Sequence, residues 1–303
     1  MGTAAAQPYP LKPIRIVTNE AGAGLDFALR LMTPGLSTAF GQQAIVDNRG
    51  GAGGVIAADL VAKATPDGYT LLYYSNGLWT LPLLQNVPYD PVRDFAPVTL
   101  AATSPNILVV HPSVPVNSVA DVIALAKSKP GTLNYASGGR GAPTHLAAEL
   151  FKSMAGVDIV HIPYKGSGPA LISLIGGHAQ LMFAVAVGGL THVKAGRLKP
   201  LAVTSSKASE LLPGLPTVAA SGLPGYESVS IQGLFAPAKT PPAVIERLQQ
   251  EVARVVARAD VKEKFFNAGT EAVGSSPAEL SAAVKADMTA MARVIKTAGI
   301  RAE

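Results

Sequence analysis

Two rhythms alternate along the chain. A period-two apolar run, "IRIVT" at 14–18, gives way to helical spacing over 26–40. "QAIVDN" leads through "RGGAGG" into "VIAADLVAKA", and "YTLLYYS" follows. This β-α-β-α-β opening predicts an α/β layered domain with a mainly parallel sheet. Pro34 and Gly35 lie inside the first helical pattern, where proline costs about 3 kcal/mol, so a kink or break is expected there.

The pattern restarts after "NILVVHP". Ser118 is a good N-cap for "VADVIALAKSK", and Gly131 supplies its stop. "LNYAS" reads as a strand, and "PTHLAAELFKSM" as a helix with apolar spacing at 146, 150, 151 and 154. "DIVHIPY", "AQLMFAV" and "LKPLAVTS" read as further strands, with a short helix at "GPALISLIG". That is a second α/β unit. The string "LLPGLPTVAASGLPGYES" closes it; then come a strand, "VSIQGLFAP", and helices predicted over 242–258, 260–268 and 277–298. These helices have no sheet of their own, so they are expected to pack on the first domain. Residues 1–103 and 232–303 would form one discontinuous domain and 104–231 the other, hinged at crossings near 103 and 231.

With 303 residues, the chain can bury two cores. Its 48% hydrophobic content contains no run of the roughly 18 apolar residues that a membrane helix needs, so a soluble protein without direct membrane insertion is expected. There is no cysteine, which removes disulfides and thiolate chemistry. "AAAQ" near the start resembles the remnant of a cleaved export signal. The net charge of +5 comes from scattered basic residues without interleaved aromatics, which disfavours nucleic acid but suits a small anion.

The catalytic and cofactor signatures fail one by one. Gly22 and Gly24 are followed by Phe27 where a dinucleotide fingerprint needs glycine, and "RGGAGG" lacks the Lys-Ser/Thr of a phosphate loop. His111, His145, His161, His178 and His192 form no metal-ligand spacing. "KGSGP" is not a nucleophile elbow. No enzyme, metal or cofactor is expected. What remains is a set of small-residue loops at strand ends: 19–26, 75–77, 136–145, 164–168 and 184–189. Several open straight into helices, where backbone N–H groups and the positive helix end receive anions. Two domains offering such loops to one cleft describe a hinged binding protein.

The stretches "NRGGAGGVIAADLVAKATPDGYTLL", "YDPVRDFAPVTLAATSPNILVVHPSVP", "HIPYKGSGPAL" and "PGLPTV" carry a resemblance that runs nearly end to end. The chain resembles the periplasmic solute-binding receptors of the tripartite tricarboxylate transporter family, the Bug receptors. The resemblance implies a type II, Venus-flytrap α/β fold of two domains. A monomer of that kind would capture a small organic acid, without cofactor or chemistry, and deliver it to membrane permease subunits. It nominates as ligand contacts Gly22, Ala23, Gly24 and Asp26, with Ser75, Asn76 and Gly77, from the first domain. From the second it nominates Ser137, Gly138, Gly139, Thr144, Tyr164, Lys165, Gly166, Ala184 and Val185.

Departures from the family pattern add further candidates. Asn19, Glu20 and Ala21 replace a rigid aromatic-proline segment. Glu20 then either faces solvent or marks a ligand with an amine or hydroxyl. Asp26 reads first as the helix N-cap, with ligand contact as the other reading. Arg140 is either a surface arginine or the partner of a second carboxylate. Ala184 stands where many relatives carry Asp, which argues against amino-acid ligands. Trp79 and Phe27 could line the cleft and favour an aromatic acid; the same fold could also serve a sensor.

Overall fold

The computed structural model describes residues 9–19, 21 and 24–300, and at position 187 the backbone alone. The first third contains β1 (Ile14–Thr18), α1 (Gly24–Phe40), β2 (Ala44–Asn48), α2 (Val55–Ala62), β3 (Thr70–Ser75) and α3 (Gly77–Leu84). β1 pairs in parallel with β2 and β3, as the alternation predicts. Of the kink or break expected in α1, the break does not occur. The helix runs through Pro34, and Arg30 O, the acceptor that proline leaves without its usual N–H, receives Thr33 Oγ1 at 3.3 Å instead. Gly35 serves packing: a Cβ there would stand 2.9 Å from Val255 Cγ1.

β4 (Phe95–Val110) is one long strand that runs through the crossing expected near 103. Beyond it lie α4 (Val119–Ser128), β5 (Asn134–Ser137), α5 (Pro143–Ala155), β6 (Val160–Pro163), α6 (Ser167–Ile175), β7 (Leu181–Val185), α7 (Ala186–Lys194) and β8 (Lys199–Val203). Ser118 caps α4 as predicted, accepting the Asp121 N–H at 3.1 Å. The chain returns along β9 (Val229–Pro237) and ends in α8 (Pro242–Val256), α9 (Ala259–Asn267), the short β10 (Glu271–Ala272) and α10 (Pro277–Ala298).

The strand order is β2-β1-β3-β9-β4-β7-β5-β6, with β8 and β10 also on β4. From Phe95 to Pro105, β4 lies antiparallel to β9; from Asn106 to Val110 it pairs with β7, and from Ile107 with β8 as well. One strand therefore serves two sheet halves, and the exchange of partners falls at Pro105–Asn106.

Each half has its own core. The first is built from β1, β3, the start of β4 and β9, with α1, α2 and α8. In the second half the period of two sorts neighbours onto opposite faces. Leu108, Val110, Leu181 and Phe183 face α4 and α5, while Ile107, Val109, Met182 and Ala184 face α6 and α7. α8 and α9 join the first core, as expected. α10 does not stay with it: Leu280 and Val284 pack in the first core, but Met291, Val294 and Ile295 pack in the second. A helix of 22 residues is about 33 Å long, enough to reach across both.

Ahead of α2, residues 51–54 turn tightly. Gly54 has φ of 91°, and a Cβ built on it would meet Tyr74 Oη at 1.4 Å. That hydroxyl donates to Gly53 O at 2.5 Å, which fixes the turn against β3. Gly54→Ala is expected to lose about 2–4 kcal/mol, from overpacking and a left-handed backbone together. Urea denaturation measures it, and Tyr74→Phe in the same chain should recover little, because the ring carbons Cζ and Cε2 would still stand 2.2 and 2.6 Å from that Cβ. A neutral Gly54→Ala would show that the turn relaxes freely.

Candidate functional site

Where β3 runs into α3, Ser75, Asn76 and Gly77 face a cavity of about 290 Å³. Gly53 lines the same cavity, as do Asn106 from the partner exchange in β4, and Ser228 and Ser230 where β9 begins. The opposite wall comes from the second half, with Gly141, Pro143 and Leu146 at the start of α5. Two helix N-termini, one from each half, therefore border one space. The first-turn N–H groups of any α-helix lack intrahelical acceptors, and their end of the helix carries partial positive charge. Such helix ends suit an oxyanion, although Pro143 has no N–H and those of Trp79 and His145 already go to Asn76 O and Ala142 O.

The loop over 137–141 is rigidly founded. Gly138 N–H donates to Thr144 Oγ1 at 3.0 Å, Gly139 N–H to Ser137 Oγ at 3.2 Å, and Gly141 N–H to His145 Nδ1 at 2.9 Å. Because Nδ1 accepts, the neutral His145 ring carries its proton on Nε2. His145 stacks on His161 with centroids 4.1 Å apart, and His161 on Tyr135 at 4.8 Å. His161 Nε2 lies 2.7 Å from Ser137 Oγ, and Tyr135 donates to Glu149 Oε1 at 2.5 Å. Burial lowers both imidazole pKa values. His161 falls to about 4, with the neighbouring His145 adding to the drop. The loop thus sits on two neutral, stacked imidazoles.

The 164–166 loop is laid against this one. Gly166 N–H donates to Gly138 O at 3.2 Å, and a Cβ on Gly138 would stand 3.0 Å from Ser167 Oγ. Tyr164 turns its hydroxyl onto Ser173 of α6, whereas Lys165 and Arg140 are exposed. Val185 is half-buried, in register with Asn106.

Four nominated side chains do other work. Trp79 does not line the cleft: it is wholly buried in the first core and donates Nε1–H to Asp287 Oδ2 at 2.6 Å. Ala184 is wholly buried among the residues facing α6 and α7, so its side chain is closed to a ligand. Asp26 is not the N-cap, since α1 begins at Gly24. Its carboxylate accepts Arg30 Nε–H and Asn48 Nδ2–H, each at 2.9 Å, tying the helix start to β2. Asn76 commits its carboxamide to the crossing: Nδ2 donates to Asp287 Oδ2 at 2.8 Å and Val229 O at 3.3 Å, and Oδ1 accepts Ile231 N–H at 2.7 Å. Phe27 is exposed on α1, outside the lining of this cavity. Glu20, Gly22 and Ala23 lie outside the described residues. Beside them, Asn19 Oδ1 is buried with no partner among the described residues.

Sequence reasoning missed Asp287 altogether. It sits on α10, lines the cavity and receives both Trp79 and Asn76. Burial raises its carboxyl pKa, the Trp79 and Asn76 donors oppose that, and Glu227 adds to the rise. No sequence pattern links a helical aspartate to partners more than 200 positions away.

Residues 28–300 match the profile described as "Tripartite tricarboxylate transporter family receptor". The chain belongs to this family. It is 39% identical over 282 residues to the "UPF0065 protein in tcbD-tcbE intergenic region" of Pseudomonas sp. strain P51, covering 92% of this chain and 84% of that one. The solved structure of R. palustris Rpa4515 with adipate is 38% identical, covers 97% of this chain and 99% of its own, and superposes with a TM-score of 0.78. MatC from Rhodopseudomonas palustris with bound malate is 28% identical, covers 95% and 100%, and scores 0.74. The two sheet halves are the lobes of a Venus-flytrap binding protein. As a tripartite tricarboxylate receptor, the chain is a periplasmic solute-binding protein for a small organic carboxylate. Among the described residues no acidic, histidine or cysteine cluster could hold a metal, and no helix is long and apolar enough to cross a membrane.

The stacked imidazoles predict how this receptor responds to acid. The unfolded His161 titrates near 6.5 and the folded one near 4, so the unfolded chain takes up its proton first. Stability present above pH 6.5 should therefore drain away as pH falls toward 4. Denaturant titrations at pH 7, 5.5 and 4.5 should give a shallower acid loss for His161→Gln than for wild type. Parallel losses would assign the acid sensitivity to other groups.

Proposed function

We propose that this receptor closes over a small aliphatic dicarboxylate between its lobes and hands it to the membrane permease subunits of a tripartite tricarboxylate-type transporter. One observation carries the reading: the N-termini of α3 and α5, from opposite lobes, share one cavity. An anion between them gains contacts in the closed state that it lacks in the open one, and that difference is what shifts the equilibrium. The lobes so defined are 1–103 with 232–303, and 104–231, with the end of α10 clasping the second.

Several features support the choice of ligand. The adipate-bound and malate-bound relatives carry aliphatic dicarboxylates. With Trp79 in the core, one half of the expected aromatic wall is gone. Arg140 is exposed next to Gly141, which lines the cavity though Arg140 does not, and we assign it the second carboxylate, which a guanidinium binds through paired N–H donors.

A thermal-shift panel of succinate, adipate, hexanoate and terephthalate tests this. A ligand at a hundredfold its Kd adds about 2.7 kcal/mol, which is about 5 °C for a chain of this size. The aliphatic dicarboxylates should give that shift, and hexanoate and terephthalate should not. Arg140→Ala should weaken adipate by roughly ten-fold or more while changing any residual hexanoate binding less than two-fold. A shift by terephthalate alone would replace the aliphatic reading, and equal losses for both acids would return Arg140 to the surface.

A further inference from the structure

The cavity of an anion receptor here contains a carboxyl group of its own. Asp287 faces the same space as Ser75, Gly77 and Gly141. Its two oxygens differ. Oδ2 accepts Trp79 Nε1–H at 2.6 Å and Asn76 Nδ2–H at 2.8 Å, which fixes the orientation of the group. Oδ1 has no hydrogen bond or ion pair among the described residues. Arg293, also on α10, lines the neighbouring cavity of about 410 Å³ with Asp287 and Glu227, and among the described residues no ion pair joins it to either. The carboxyl is thus held by neutral donors, with one acceptor left over.

A fixed acceptor beside a bound dianion opposes a plain carboxylate chain, because like charges disfavour each other at close range. A ligand that brings a donor of its own turns that opposition into a charge-assisted hydrogen bond. We infer that Asp287 is a specificity-determining residue whose Oδ1 selects dicarboxylates bearing a hydroxyl or ammonium on the chain over the unsubstituted acid. This rests on the dicarboxylate reading above and narrows it. A site that leaves a polar group unmatched rejects the analogue lacking the partner more strongly than a merely apolar pocket does.

Asparagine at this position separates the two oxygens cleanly. In Asp287→Asn the amide oxygen can still accept from Trp79 and Asn76, so the tie to α3 survives. The position of Oδ1, which has no donor among the described residues, becomes an N–H donor. Titration calorimetry of malate, aspartate and succinate against wild type and Asp287→Asn reads the result. In wild type, malate or aspartate should bind about ten-fold or more tighter than succinate. In Asp287→Asn that ratio should fall to about one or below, with succinate itself bound more tightly than by wild type. Asp287→Ala should also lose the preference, and its unfolding midpoint reports separately on the lost tie to Trp79. Equal wild-type affinities for substituted and plain acids would overturn the inference while leaving the dicarboxylate reading intact. So would a preference that persists in Asp287→Asn. Failure of all three acids, with adipate also silent, would remove the dicarboxylate reading and this inference with it.

Discussion

Everything in this receptor hangs on one strand. β4 gives its N-terminal part to the ladder with β9 and its C-terminal part to β7 and β8, so both lobes share a continuous backbone. A backbone N–H or C=O buried without a partner is costly, and this demand holds each half of β4 in its own sheet. The cavity lies at the exchange because that is where strand ends, loop starts and the first turn of helices meet. The cavity is a by-product of the pairing.

The polar chemistry there is economical. The polar border of the space consists of backbone groups, small hydroxyls, the carboxamide of Asn106 and the carboxyl of Asp287, with the side chains beneath used as struts. His145 props Gly141, Thr144 props Gly138, and Asn76 laces α3 to β9 and α10. Burial disfavours the charged form of a ring, which is why the two imidazoles there resist protonation. Binding proteins need donors in fixed places more than they need charge, and this arrangement supplies them.

The architecture was legible in the sequence because periodicity is local. The alternation in "IRIVT", the Ser118 cap and the span of 277–298 each depend on neighbours within one or two turns, and each appears where its pattern put it. Facing was less legible. "LMFAV" is apolar at every position, as strands covered on both faces are, so its parity could not show that Ala184 points at α6 and α7. "GLWTLPLL" is apolar nearly all round, and nothing in it distinguishes a tryptophan in the core from one in the cleft. Proline misled through its average penalty, because Thr33 supplies Arg30 O with a donor inside α1. Asp287 was invisible for another reason: its meaning comes from Trp79 and Asn76, and distance along the chain carries no trace of that contact.

The residue at the partner exchange has a mechanical meaning. Pro105 ends the pairing with β9 opposite Val229, and it has no N–H to donate. On its far side Asn106 is already tied to the second lobe, donating to Thr204 Oγ1 at 2.7 Å and accepting Thr204 N–H at 3.0 Å. The ladder is therefore thinnest where the allegiance of the strand changes. Its ring holds φ, so only ψ is left to turn at that residue, and a turn there breaks no backbone hydrogen bond donated by it.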